Sequence, residues 1–253
     1  MKAMILAAGL GTRLRPLTDD RPKALVEING RTLLDITLAR LRKFGVREVI
    51  MNAHHCADVL VSYLQANNNF GMNIEVSRED DVLLDTGGGL KKTSNFFLRT
   101  PSGAPFILHN VDVLSTIDLH EMVLTHRKHD ALATLAVRER KTSRFLLFNQ
   151  HSELCGRRTI KDQMPEGITE LVRAAKDPHP LAFCGIHVIS PRLLTLMQEQ
   201  GVFSIIDVYL RLAGAGERIR AFRANEYYWR DLGRPEQIVQ ASADVASGVI
   251  QLS

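Results

Sequence analysis

Short apolar segments alternate with amphipathic segments along the first half of the chain. Met4 to Ala8 is continuously apolar and is followed by glycine, which is typical of a strand buried on both faces of a parallel sheet. Leu34, Leu38 and Leu41 then recur at helical spacing, and Gly45 predicts where that helix ends. The same alternation predicts further strands at 46–51, 74–76 and 106–108, and further helices at 58–66 and 87–95. In the helix at 58–66 we expect Val59, Leu60, Tyr63 and Leu64 to face inward.

The order of these elements predicts the fold class. Strands that alternate with helices of about ten to fifteen residues imply right-handed crossovers between parallel strands. We therefore predict an α/β fold with three layers, in which helices cover both faces of a Rossmann-like, mixed but mostly parallel sheet.

The pattern changes in the second half of the chain, from Thr134 onward. Strand-like segments follow one another at 134–137, 145–148 and 183–189, while residues 156–180 are polar and punctuated by prolines. From this pattern we predict a hairpin and a lid over the sheet, followed by a last helix at 234–245. No segment has the composition of a linker, so we predict a single domain over residues 1–253.

Composition and charge narrow the class of protein without selecting a function. With 45% hydrophobic and 24% charged residues, the chain is neither disordered, collagen-like nor a coiled coil. The net charge of +4 suits a phosphorylated substrate as well as nucleic acid. Cys56, Cys155 and Cys184 are far apart and form no CxxC pair, which predicts free thiols and a cytoplasmic location. Because no apolar run approaches the roughly eighteen residues of a membrane span, we predict no membrane association.

Candidate chemistry concentrates in the loop after the first predicted strand. Residues 7–25 read AAGLGTRLRPLTDDRPKAL, so glycines directly follow the strand and Arg13, Arg15 and Lys23 add positive charge. Glycines allow the backbone to approach a ligand closely, and the loop lies at the carboxyl end of a strand, where open α/β sheets bind their ligands. The loop therefore predicts a phosphate-binding site, whereas the plainer alternative is a flexible surface turn with solvated cations.

Individual residues exclude several other known binding and catalytic motifs. A dinucleotide-binding GxGxxG would require glycine where Leu14 stands, and a P-loop would not place Leu90 between its glycine and lysine. His120-Glu121 lacks the second histidine of a zinc-binding HExxH sequence, and the chain contains no GxSxG elbow.

The loop at residues 7–25 resembles the signature loop of the sugar-1-phosphate nucleotidylyltransferases. The similarity continues in family order through DTGGG at 85–89, HNVD at 109–112, FCGI at 183–186 and YWRDLG at 228–233. The chain most resembles the short bacterial branch that acts on N-acetylmuramate 1-phosphate, and next the mannose-1-phosphate guanylyltransferases. The resemblance implies transfer of a nucleoside monophosphate from a nucleoside triphosphate to a sugar 1-phosphate, giving a nucleoside-diphosphate sugar and pyrophosphate. It also implies a nucleotide-binding half at 1–130 and a sugar-phosphate-binding half at 131–253.

The resemblance further implies a set of site residues. Asp112 and Asp231 would bind Mg²⁺, with Asp112 also catalytic, while Arg13 would contact the triphosphate and the leaving pyrophosphate and Lys23 a phosphate. Both reactants are anions, so such an enzyme mainly positions and neutralises them. The remaining implied contacts to nucleotide and sugar are Ala7, Ala8, Gly9, Gly11, Thr12, Thr86, Gly87, Gly88 and Gly185.

Two departures from the family pattern support an alternative. Val111 stands where the family usually has glycine, and the family's Glu-Lys-Pro segment, whose lysine meets the sugar phosphate, is absent. Arg173 and Lys176 are the nearest cations that could replace that lysine. A catalytically weak or silent paralogue that binds a nucleotide sugar is therefore the alternative. A nucleic-acid binder is disfavoured because no aromatic residues are interleaved with the cations of the first forty residues.

Overall fold

A computed structural model describes residues 1–99, 103–161 and 164–252 of the chain. Within these ranges the strands are β1 (Lys2–Leu6), β2 (Glu27–Ile28), β3 (Arg31–Thr32), β4 (Glu48–Ala53), β5 (Asn73–Arg78), β6 (Phe106–Asn110), β7 (Val113–Ser115), β8 (Ala133–Arg138), β9 (Arg144–Phe148), β10 (Leu154–Lys161), β11 (Met164–Leu171), β12 (His179–Ile189), β13 (Ile219–Arg223) and β14 (Trp229–Asp231). The helices are α1 (Leu33–Lys43), α2 (Ala57–Ala66), α3 (Asp85–Lys92), α4 (Ser94–Leu98), α5 (Leu119–Lys128), α6 (Arg192–Leu196), α7 (Ile205–Gly214) and α8 (Pro235–Ala246).

Most described strands form one ten-stranded mixed sheet. Strands β5, β4, β1 and β6 lie side by side and are parallel, with Met4 of β1 opposite Ile50 of β4 on one side and Leu108 of β6 on the other. Strand β12 runs antiparallel to β6 and begins the second half of the sheet, which continues through β9, β10 and β11. Strand β8 also pairs with β12, and β13 pairs with β8. The predicted α/β fold with a mixed sheet and a parallel centre is confirmed.

Apolar residues of β1 alternate between two hydrophobic cores, one on each face of the sheet. Ala3 and Ile5 pack in the core that also contains Leu38 of α1, whereas Met4 packs in the core that contains Tyr209 of α7. A strand whose neighbours cover both faces must be apolar at every position, which is why this segment reads as a continuous apolar run.

Local sequence signals explain where the first helices begin and which face they bury. The Thr32 hydroxyl caps α1 by accepting from the Asp35 N–H at 3.1 Å, and the Leu34 and Leu38 side chains are fully buried as expected. In α2 Leu60 is buried, but the expectation that Val59 faces inward is wrong, because its side chain is 42% exposed. Neighbouring helical residues point about 100° apart, so Val59 lies off the stripe that Leu60 defines.

Much of the polar segment at 156–180 lies in β10 and β11, at one end of the sheet, where β11 is the edge strand. Strands β10 and β11 pair antiparallel, with Gly156 opposite Leu171, and β10 also pairs with β9. The predicted hairpin is therefore present, while a covering lid stays a prediction. Residues 162 and 163 of this segment and residue 253 of the predicted domain lie outside the described residues.

The described helices include none that is both long and apolar enough to cross a membrane. Cys56, Cys155 and Cys184 are free thiols, as the sequence predicted.

Candidate active site

Asp112 and Asp231 are brought together by two short strands. Asp112 directly precedes β7 and Asp231 ends β14, and these strands pair antiparallel with Val113 opposite Asp231. The Leu232 N–H donates to the Asp112 carbonyl at 2.8 Å, which closes the pairing. Two carboxylates that are far apart in the sequence therefore lie at neighbouring positions of a small ribbon.

The position of Val111 is compatible with this arrangement. Val111 does not take a positive φ, its side chain is buried, and its N–H donates to the Leu6 carbonyl at 3.1 Å. Valine can adopt this backbone conformation without the strain that a positive φ would cause. The backbone here thus does not require glycine, and Asp112 still faces Lys23.

Arg13, Lys23 and Asp231 converge on Gly233. The Lys23 ammonium forms an ion pair with Asp112, and both side chains are largely buried. A Cβ placed on Gly233 would lie 2.7 Å from Asp231 Oδ1, 2.8 Å from Arg13 Nη2 and 3.3 Å from Lys23 Nζ. A side chain at this position would therefore displace the ends of these three charged side chains, and the sequence alone did not indicate this although the glycine stands in the YWRDLG motif.

The two carboxylates have the chemistry of a site for a hard divalent cation. Mg²⁺ prefers oxygen ligands, keeps several of its waters and needs only one or two protein carboxylates beside substrate phosphates. In the structure Asp112 already accepts one cation, the Lys23 ammonium, and that ammonium and Asp231 Oδ1 both lie near the place where a Cβ on Gly233 would be. No cluster of three or more metal-ligating side chains occurs in the described part of the chain, so two carboxylates and the substrate would have to supply the ligands.

The glycine-rich loop combines a fixed turn with an open surface. Gly11 has a φ of +65°, and its carbonyl accepts a hydrogen bond from the Thr18 hydroxyl at 2.9 Å. Gly9 is different, because no described atom lies within 4 Å of the place where its Cβ would be. Thr12 and Arg13 are exposed beside it. The space over Gly9 is therefore available to a ligand.

Asn52 and Glu79 connect this loop to the next predicted site segment. The Asn52 Oδ1 accepts from the N–H groups of Ala7 at 2.8 Å and Ala8 at 3.3 Å, and its Nδ2 donates to Glu79 Oε1 at 2.8 Å. Glu79 Oε2 in turn accepts from the Leu84 N–H at 2.9 Å, and both side chains are buried. Neither residue was predicted from the sequence, where each is only a polar residue near the end of a strand.

Thr86, Gly87 and Gly88 pack against the segment that precedes α7. The N–H groups of Gly87 and Gly88 donate to the Phe203 carbonyl at 2.9 and 3.2 Å, and the Thr86 hydroxyl accepts from the Ile205 N–H at 3.0 Å. These two amides are thus engaged within the protein, and a role of this segment in nucleotide binding stays a prediction.

Gly185 occupies a constrained position at the edge of the site. Its φ is +75°, and a Cβ there would lie 2.9 Å from both the Asn110 Nδ2 and the Val113 Cγ2 atoms. Glycine is therefore required beside the strand that leads to Asp112.

A cavity of about 1330 Å³ opens in front of Asp231 and extends toward β9 and β10. Eight cationic and two acidic residues of the described chain line it. The cationic ones are Arg13, Arg140, Lys141, Arg144, Arg157, Arg158, Arg230 and Arg234. Neither Arg173 nor Lys176 is among the lining residues, and the Arg173 guanidinium instead binds Glu153 at 3.0 Å and the Ala213 carbonyl at 2.8 Å. The suggestion that Arg173 replaces the missing lysine is therefore wrong.

Comparison with known proteins identifies the family of the chain. The model of the nucleotidyl transferase family matches residues 2–153. The chain is 33% identical over 252 residues to the N-acetylmuramate alpha-1-phosphate uridylyltransferase of Caulobacter vibrioides, with 96% of both chains covered. It is 26% identical over 246 residues to the mannose-1-phosphate guanyltransferase of Yarrowia lipolytica, of which 63% is covered, against 96% of this chain. The structure of a UDP-glucose pyrophosphorylase complexed with UDP-glucose matches with a TM-score of 0.76 and 18% identity, covering 98% of each chain.

The chain belongs to the nucleotidyl transferase family. The relatives with the names given above are sugar-1-phosphate nucleotidyltransferases, which is the family that the sequence motifs predicted.

Proposed function

We propose that this protein transfers a nucleoside monophosphate from a nucleoside triphosphate to a sugar 1-phosphate, with Mg²⁺ bound by Asp112 and Asp231. The observation that carries the proposal is the convergence of Arg13, Lys23 and Asp231 on Gly233, with Asp112 paired to Lys23. UTP is the favoured nucleotide, because a relative that is 33% identical and matched along 96% of both chains is a uridylyltransferase. The site has the features of an active enzyme, and the absence of the usual glycine at 111 does not displace Asp112.

The proposed reaction joins a phosphate oxygen of the sugar 1-phosphate to the α-phosphorus of the triphosphate. The bond from that phosphorus to the bridging oxygen breaks, and pyrophosphate leaves with the electron pair. Arg13 and Lys23 lie where they can neutralise the charge that builds on the transferred and leaving groups. A bound Mg²⁺ would add a further positive charge and hold the phosphates in line.

The two halves of the chain would divide the substrates between them. In this proposal residues 1–130 bind the nucleotide through the loop at Ala7 to Thr12 and the segment at Thr86 to Gly88, and residues 131–253 bind the sugar phosphate beside Gly185. Both hydrophobic cores draw residues from both halves, for example Leu38 with Ile186, which supports a single folding unit. We also propose a cytoplasmic location, which the three free thiols support.

Pyrophosphate release from a matrix of nucleoside triphosphates and sugar 1-phosphates, with and without Mg²⁺, tests the proposal. We expect release with UTP and at least one sugar 1-phosphate, and loss of release when the metal is chelated. Stabilisation by a nucleotide sugar without release from any pair would favour the silent paralogue instead.

Asp112→Asn is the sharper test of the site. We expect turnover to fall at least about a hundredfold, because the metal loses a charged ligand. The fold should stay intact, although the melting temperature should fall because Lys23 loses its partner. Asp130→Asn is the matched control, since the Asp130 side chain is 98% exposed and remote from the cavity lining. Full activity of Asp112→Asn would show that the metal site is placed wrongly.

A further inference from the structure

Arg140 is held over the face of Trp229 at the edge of the cavity. It lies two residues after the end of β8, and its guanidinium carbon is 4.7 Å from the centre of the Trp229 ring. Both residues line the cavity together with Arg13 and Asp231. A guanidinium stacked on an indole is fixed in orientation, because the ring attracts the cation over its face.

Trp229 is itself fixed relative to Asp231. Its indole N–H donates to the Cys184 carbonyl at 2.8 Å, and its backbone pairs with Ser115 of β7. Residues two positions apart on a strand point to the same side, so Trp229 and Asp231 project toward the cavity together. The stacked pair therefore stands beside the carboxylate site, next to the Cys184–Gly185 peptide.

The N–H groups of the Arg140 guanidinium make few and long hydrogen bonds within the protein. Its Nη1 and Nη2 atoms reach only the Lys141 and Phe183 carbonyls, at 3.4 and 3.3 Å, and its buried Nε has no hydrogen-bond partner among the described residues. Burial lowers the pKa of Arg140, and the nearby Cys184 and Asp231 oppose that shift. A guanidinium carries five N–H donors, so most of its binding capacity is free for a planar or tetrahedral oxyanion.

Two of the seven other cations that line the cavity have carboxylate partners. Arg157 pairs with Glu170 and Asp207, and Arg230 pairs with Asp244. Across the part of the chain that the structure describes, no carboxylate lies within ion-pair distance of Arg140, although it is half-buried. A half-buried cation without a counter-ion is most stable when a ligand supplies the negative charge.

We infer that Arg140 binds the phosphate group of the sugar 1-phosphate through its two Nη atoms, in the cavity that Asp231 also lines. The inference rests on the proposed function, in which Arg13 and Lys23 neutralise the nucleotide phosphates and the second anionic substrate needs a cation of its own. Arg140 is then a substrate-binding residue, and Trp229 is the residue that positions it.

Trp229 also supplies the measurement, because it is the only tryptophan of the chain. We would titrate the wild-type protein with α-D-glucose 1-phosphate, N-acetyl-α-D-glucosamine 1-phosphate and N-acetylmuramate 1-phosphate, following tryptophan emission and, in parallel, the heat of binding. Free glucose and free N-acetylglucosamine are the controls that lack phosphate. We expect at least one sugar phosphate to change the emission and neither free sugar to do so.

Arg140→Met should weaken that binding about tenfold to a hundredfold, the usual effect of losing a charge-assisted bidentate contact. Arg140→Lys should recover part of it, and Arg192→Met, a matched change at a surface pair with Glu217, should leave it unchanged. In the pyrophosphate assay the KM for the sugar phosphate should rise by the same factor while the KM for UTP stays constant.

Two results would overturn the inference. The first is that Arg140→Met binds the sugar phosphate with the affinity of the wild-type protein, as measured by the heat of binding. The second is that the wild-type protein binds none of the three sugar phosphates. Failure of the proposed function is distinguishable, since it would appear as sugar-phosphate binding that depends on Arg140 without release of pyrophosphate.

Discussion

At the scale of single residues, Gly233 determines how closely the charged groups of the site can approach one another. Three side chains of both charge signs, Arg13, Lys23 and Asp231, occupy the space into which a Cβ would project. The arrangement of these three side chains therefore depends on Gly233, which has no functional group of its own.

Gly233→Ala should separate these groups and lower kcat/KM by about a hundredfold, since shifts of about 1 Å in a catalytic arrangement have effects of this size. The melting temperature should fall only slightly, because the atoms that must move are the ends of flexible side chains. Steady-state kinetics and thermal melting test both points. Gly214→Ala in α7 is the control, and equal activity of both variants would show that the convergence has no catalytic importance.

Gly9 offers a complementary test, because its surroundings are empty of protein. Gly9→Ala meets no described atom within 4 Å, so the free energy of unfolding should stay within about 0.5 kcal/mol of wild type. If nucleotide phosphates occupy this space, the KM for UTP should rise while the KM for the sugar phosphate does not. An unchanged KM for UTP would place the nucleotide elsewhere.

At the scale of elements, Asn52 and Glu79 join the ends of β1, β4 and β5 to the start of α3. Asn52 occupies the N–H groups of Ala7 and Ala8, and Glu79 links Asn52 to the Leu84 N–H. The glycine loop and the triple-glycine helix are therefore held as one unit by buried hydrogen bonds, although they are far apart in the sequence.

Asn52→Ala should destabilise the protein by about 3 kcal/mol, because it leaves buried backbone donors and the Glu79 carboxylate without their partner. The KM for UTP should also rise, because the glycine-rich loop loses the hydrogen bonds from Ala7 and Ala8 to Asn52 that hold it in place. Urea denaturation and kinetics measure the two effects, with the exposed Asn67→Ala as the control. Wild-type stability of Asn52→Ala would show that the connection is unimportant.

At the scale of the whole molecule, three buried histidines link stability to pH. Burial lowers the pKa of His109 and of His187 to about 3 and that of His126 to about 4. The folded protein thus keeps these rings neutral, whereas in the unfolded chain they take up protons below about pH 6.5.

Stability should therefore be constant above pH 6.5 and decrease as the pH falls below it. Each histidine contributes a slope of up to about 1.4 kcal/mol per pH unit until its folded pKa is reached. Urea denaturation between pH 7.5 and 5 measures the slope. His126→Gln should remove the contribution of one histidine from the slope, and the exposed His151→Gln should leave the slope unchanged. Equal slopes for the wild-type protein and both variants would show that His126 does not stay neutral in the folded protein.

The sequence by itself determined the alternation of strands and helices, the change of pattern from Thr134 onward and the family, because these depend on local apolar periodicity and on motifs that are contiguous. The tertiary structure decided the rest. Gly233, Asn52 and Glu79 acquire their importance only when distant segments meet, and Arg140 became the candidate cation only once Arg173 proved to be bound to Glu153 and the Ala213 carbonyl. The physical reason is that a site is a set of distances between side chains, and those distances follow from packing that no single segment encodes.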